Sequence, residues 1–113
     1  MESQDLTALV AELLEDARGA SSMRSGRTIH GGREHHLRQT VLALAAGGEL
    51  ADHESPGEAT LQVLAGRVRL SAAEESWEGG PGDYLVIPPH RHRVDALEDA
   101  AIMLTVVVAT REG

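Results

Sequence analysis

The chain is expected to form an all-β domain preceded by one short helix. From Arg27 onward, apolar residues come in short runs rich in Val, Leu and Ile with period-two character. Glycine and proline punctuate those runs, and no helical segment lies between them of the kind a parallel sheet needs for its crossovers. At 113 residues the chain has the mass of a single hydrophobic core.

The first element is the segment Asp5 to Ala17. Leu6, Leu9, Val10, Leu13, Leu14 and Ala17 recur at the spacing that collects them on one helix face. Asp5 is the expected N-cap and Gly19 the expected stop. The apolar face is expected to cover one opening of the domain or to join a subunit interface. Residues 1–26 are read as this helix and a Ser/Gly/Arg-rich link, and residues 27–113 as the β domain.

Strands are expected near Arg27–His30, Leu37–Ala45, Thr60–Leu64, Arg67–Ala72, Ser76–Glu78, Tyr84–Ile87, His92–Ala96 and Ile102–Ala109. Ala65-Gly66 reads as a tight hairpin between Leu64 and Arg67. The run Gly79 to Asp83 turns into the next strand, and Pro88-Pro89 ends it, because proline cannot donate to a central ladder. Arg67 and Arg69 alternate with Val68 and Leu70 as an outward face. Phenylalanine is absent, so the core is built from Leu, Val, Ile and Ala, with Trp77 and Tyr84 as packing residues.

Composition narrows the chemistry. A formal charge of −8 opposes nucleic-acid binding, which needs clustered cations to neutralise phosphates. There is no cysteine, which excludes disulfides, thiolate nucleophiles and Cys-based metal sites, so any metal is held by His and oxygen. All ten basic residues are arginine, which excludes Schiff-base chemistry on lysine. Neither a Gly-x-Ser-x-Gly elbow nor a phosphate-binding loop is present. No apolar run reaches the roughly 20 residues that span a bilayer. The acidic start Met1-Glu2-Ser3-Gln4 does not read as a signal peptide, so the expected location is cytoplasmic.

Two histidines, His53 and His92, sit in separate Gly/Pro-punctuated frames. The first frame, GGELADHESPGEATLQVLAGRVRL, runs from Gly47 to Leu70, and the second, GPGDYLVIPPHRHRVDAL, from Gly80 to Leu97. The first resembles the cupin motif G-x5-H-x-H-x3,4-E-x6-G, with Gly47, His53 and Gly66 in place, Ser55 at the second histidine and Ala59 at the glutamate. The second resembles G-x5-P-x-G-x2-H, with Gly82 and Pro88 in place, His90 at the glycine, and the histidine one residue early at His92. The chain is thereby identified as resembling a small single-domain cupin with an incomplete metal-ligand set. That resemblance implies a double-stranded β-helix, a jelly-roll-like barrel, and commonly a homodimer.

The resemblance also implies a divalent transition metal, Fe, Mn, Ni, Cu or Zn, held by His53 and His92. His90 lies two residues from His92, which puts both on one side if the stretch is extended. Glu58 is one residue from the family's carboxylate position and reaches the site only through a local bulge or from the Pro56-Gly57 turn. Ser55 offers a hydrogen bond to a ligand. Two functional readings follow. In one, a metal in the barrel acts on a small organic molecule, with oxygenase, isomerase or lyase chemistry implied. In the other, a non-catalytic barrel binds or senses a small molecule without metal. Ser55 and Ala59 favour the second, and His90 the first. A third reading is a structural or regulatory dimer subunit with a barrel filled by side chains.

Overall fold

The computed structural model describes residues 1–54 and 57–108, with His53 described by its backbone. Helix α1 spans Leu6–Gly19 and is followed by nine strands: β1 Arg24–His30, β2 Leu37–Leu44, β3 Glu49–His53, β4 Ala59–Ala65, β5 Val68–Ala72, β6 Glu75–Gly79, β7 Tyr84–Val86, β8 His92–Ala96 and β9 Ala100–Val107. They form a five-stranded sheet ordered β1-β2-β9-β4-β7 and a four-stranded sheet ordered β3-β8-β5-β6. Every strand pair is antiparallel. The expected all-β, jelly-roll-like class is the class observed.

Alternation builds the core between the sheets. In β5 the inward residues are Val68, Leu70 and Ala72, and in β8 they are His92, Val94 and Ala96. From the other sheet Leu61, Val63 and Ile102 meet them in one buried cluster. Each such aliphatic side chain contributes roughly 1.5–3 kcal/mol when fully buried. The small side chains forecast from the composition are therefore the ones that fill the sandwich.

A second cluster lies on the outer face of the five-stranded sheet. There Leu9, Leu13 and Ala17 of α1 are buried against Val41 and Ala43 of β2. Asp5 caps the helix, its side chain accepting from the Ala8 N–H at 3.1 Å. Glu12 accepts from Arg27 at 2.9 Å, which ties the helix to β1. The helix thus backs a sheet and does not cover an opening of the barrel, because its apolar stripe matches the odd-numbered face of β2.

Other expectations change in the structure. The segment β3 was not anticipated: Glu49-Leu50-Ala51-Asp52-His53 contains no β-branched residue, and it is a strand because β8 pairs with it. The Ala65-Gly66 turn does not close a hairpin, since β4 belongs to the five-stranded sheet and β5 to the four-stranded one. It is a corner that carries the chain from one sheet to the other. Tyr84 is not a packing residue, being 60% exposed on the edge strand β7. The expected last strand ends at Val107, and its forecast final residue, Ala109, lies outside the described residues.

Asp99, in the turn between β8 and β9, holds several of these parts together. Its carboxylate accepts from the Ala46 N–H at 2.8 Å and from Arg18 Nε at 2.7 Å. The backbone donor first, and then the arginine, keep its pKa below the ordinary aspartate value.

Candidate functional site

His92 is the buried polar residue of the described chain, 3% exposed on the inward face of β8 beside Val94. Its Nδ1 lies 2.9 Å from the carbonyl oxygen of His90. A carbonyl can only accept, so Nδ1 carries the hydrogen, and in the neutral ring the lone pair is on Nε2. A backbone carbonyl that fixes one imidazole nitrogen in this way is the usual support of a ligating histidine.

The loop before β8 explains the contact. Residues 88–91 do not form a strand; His90 N–H donates to the Pro88 carbonyl at 2.8 Å, and the bend turns the His90 carbonyl toward His92 while its ring lies exposed. His90 therefore meets His92 through its backbone. His53, the last residue of β3, is the register partner of His92, after an irregularity in the ladder between Leu50 and His53. Ser55 lies outside the described residues. Glu58 is exposed, and its carbonyl accepts from Val107 N–H at 3.1 Å as β4 begins. Ala59, at the family's carboxylate position, is 2% exposed. Among the described residues, which do not include the His53 side chain, no three His, Asp or Glu groups converge as a metal cluster.

A cavity of about 400 Å³ lies beside this position, lined by Leu70, Ala72, Glu75, Ser76, Trp77, Leu85, Val86 and Pro88. Its walls are β5 and β6 on one side and β7 on the other, so it opens where the edges of the two sheets part. Ala72 is the register partner of both His92 and Glu75, which makes His92, Ala72 and Glu75 one row across β8, β5 and β6. Trp77 forms a wall one row further along, opposite Leu70. Its indole occupies the space that a side chain at Gly79 would need.

Sequence reading did not assign Trp77 or Glu75 to a site. Their period-two spacing was available, but which face of β6 turned inward depended on its pairing with β5. The ion-paired groups of the four-stranded sheet stand on its opposite, outer face. There Arg69 pairs with Glu78 at 3.0 Å, and Arg93 pairs with Asp95 at 2.9 Å and with Glu49. The arrangement combines a buried imidazole tied through Nδ1 to a backbone carbonyl with a cavity whose lining has one carboxylate and no cation.

The architecture is a two-sheet β-sandwich with a buried histidine on its inner face. The cupin-domain family model matches residues 40–108, and the chain belongs to the cupin family. A conserved protein of unknown function from Streptococcus pyogenes is 27% identical, with 83% of this chain and 80% of that one covered at a TM-score of 0.69. A cupin 2 conserved barrel domain protein from Salinispora arenicola is 16% identical over 96% and 90% of the two chains, also at 0.69. The DMSP lyase DddQ from Ruegeria pomeroyi is 18% identical over 80% of this chain and 49% of its own, at 0.68. These last two likenesses speak to the fold. Comparison with curated proteins finds no match.

Proposed function

We propose that this cupin binds a small organic molecule in the cavity between β5, β6 and β7, with a divalent metal at His53 and His92 as the polar end of the site. The observation that carries this reading is the buried His92, whose Nδ1–H is committed to the His90 carbonyl. The register of β3 on β8 supports His53 as its partner, because directly opposed residues of an antiparallel pair are neighbours.

The donor chemistry fits an ion as a two-imidazole site. His53 and His92 would hold it, and solvent or ligand oxygen would fill the other positions. Such an ion supplies Lewis acidity toward an oxygen-bearing ligand, as in metal-assisted oxygenase or isomerase chemistry. The protein's own contribution is to orient His92 through the His90 carbonyl and to keep water from the apolar wall of Leu70, Ala72 and Leu85. A metal-free binding or sensing role is the second reading. It is favoured by Ala59, which puts a methyl group where a carboxylate ligand would stand.

Protein purified without a histidine tag, incubated with zinc and desalted, is expected to retain about one ion per chain. Retention of none, for zinc and equally for iron, manganese, nickel and copper, would overturn the metal reading and leave the second.

We also propose a homodimer. Leu37, Tyr84, Val86 and Val107 are exposed on the outer side of the five-stranded sheet that α1 leaves uncovered. Light scattering at micromolar concentration should give twice the chain mass, and a monomer alone would count against this.

A further inference from the structure

The charge and shape of the cavity lining carry the reading one step further, to the class of ligand. This step rests on the proposal that the cavity is the binding site. Glu75 and Trp77 lie two residues apart on β6, opposite Ala72 and Leu70, and all four line the cavity. The rest of the lining is Ser76, Leu85, Val86 and Pro88. Glu75 is the sole charged group in that lining, and its carboxylate has no ion-pair partner among the described residues.

The arginines of this sheet do not compensate it. Arg69 and Arg93 project from the opposite face, and each is already paired with an acid. Along this lining, away from the position proposed for the metal, an anionic group would meet no counter-charge, only the Glu75 carboxylate and a formal chain charge of −8. A cation meets the reverse: a carboxylate, an indole beside it, and an attractive long-range field. An indole face attracts cations through its ring quadrupole, and apolar substituents on the cation can bury against Leu70, Leu85 and Pro88.

We propose that the cavity selects a small organic cation, an onium group bearing apolar substituents, with Glu75 and Trp77 as its recognition pair. The geometry makes Glu75 the source of charge preference and Trp77 the source of contact.

Trp77 is the one tryptophan of the chain, so its fluorescence reports occupancy without labelling. Three probes of nearly identical shape separate charge from size: choline, 3,3-dimethyl-1-butanol and 3,3-dimethylbutanoate. Each is titrated into metal-free protein at low ionic strength, by Trp77 fluorescence and by calorimetry.

Choline is expected to bind about three- to tenfold more tightly than the neutral isostere, and the carboxylate most weakly. Glu75→Gln should lower the choline-to-alcohol ratio at least about twofold, and an unchanged ratio would overturn Glu75 as the source of charge preference. Equal affinities for choline and the alcohol in the wild-type chain, or preference for the carboxylate, would overturn the charge assignment and leave the cavity as a binding site. Silence from all three probes at millimolar concentration would overturn the cavity reading itself, and this inference with it.

Discussion

Replacing His92 with alanine is expected to weaken zinc binding at least about hundredfold, while the domain stays folded with a loss of roughly 1–3 kcal/mol. The two effects have separate causes. The stability loss comes from a small void on the inner face of β8 and from the lost hydrogen bond to the His90 carbonyl. The carbonyl left behind belongs to His90, in an exposed bend, where water can replace the imidazole. The affinity loss comes from removing a nitrogen whose orientation the fold has already fixed. His90→Ala is the informative companion variant. It deletes the exposed ring but keeps the carbonyl, so zinc affinity should change by less than about threefold if His90 acts through its backbone. A loss as large as that of His92→Ala would make the His90 ring a ligand in its own right. Calorimetric zinc titration and thermal unfolding of the two variants decide it.

Gly66→Ala should be the most damaging single methyl group in the chain, costing about 3 kcal/mol or more. Gly66 has φ of +70°, a left-handed conformation that disfavours any side chain. A Cβ there would overlap the Asp99 carbonyl oxygen and stand 2.8 Å from the Ala100 Cα. Neither neighbour is a flexible side chain that can swing away. Both belong to the turn into β9, which pairs with β2 and β4 at the centre of the five-stranded sheet. The strain therefore passes to the middle of the fold. Gly19→Ala, at the end of α1 with nothing within 4 Å of the added Cβ, is the matched control and should be neutral or slightly stabilising. Thermal melts of the pair give the comparison, and a Gly66→Ala melting temperature equal to that of Gly19→Ala would contradict the corner geometry.

These two residues also show what was legible in the sequence. The frame glycines Gly47, Gly66 and Gly82 all have positive φ. The motif spacing records backbone requirements, which is why it identified the fold even where ligand positions carry Ser55 and Ala59. Inward and outward faces were legible wherever alternation was clean, as in Val68 to Ala72. The assignment of strands to sheets was not. A tight turn has the same glycine signature whether it closes a hairpin or turns a corner, so β4 and β5 read as partners when each pairs elsewhere. The strand β3 was invisible because its residues have little strand preference of their own and are held by β8.

The site was partly legible for a related reason. His53 and His92 were singled out by spacing, and β3 and β8 bring their positions into register. The support of His92 was not readable, because a backbone carbonyl has no sequence signature, and the PPHRH stretch suggested a second ring rather than a turn. Glu75 stood in no motif, and Trp77 read as a packing residue. Only the pairing of β6 with β5 shows both lining the same cavity.

The most direct measurement is the long-range proton–nitrogen spectrum of the His92 imidazole, assigned by its loss in His92→Ala and followed through a zinc titration. The expected result is a hydrogen on Nδ1, and an Nε2 resonance that moves as zinc is added up to about one equivalent. A hydrogen on Nε2, together with a ring that does not respond to zinc, would contradict the account.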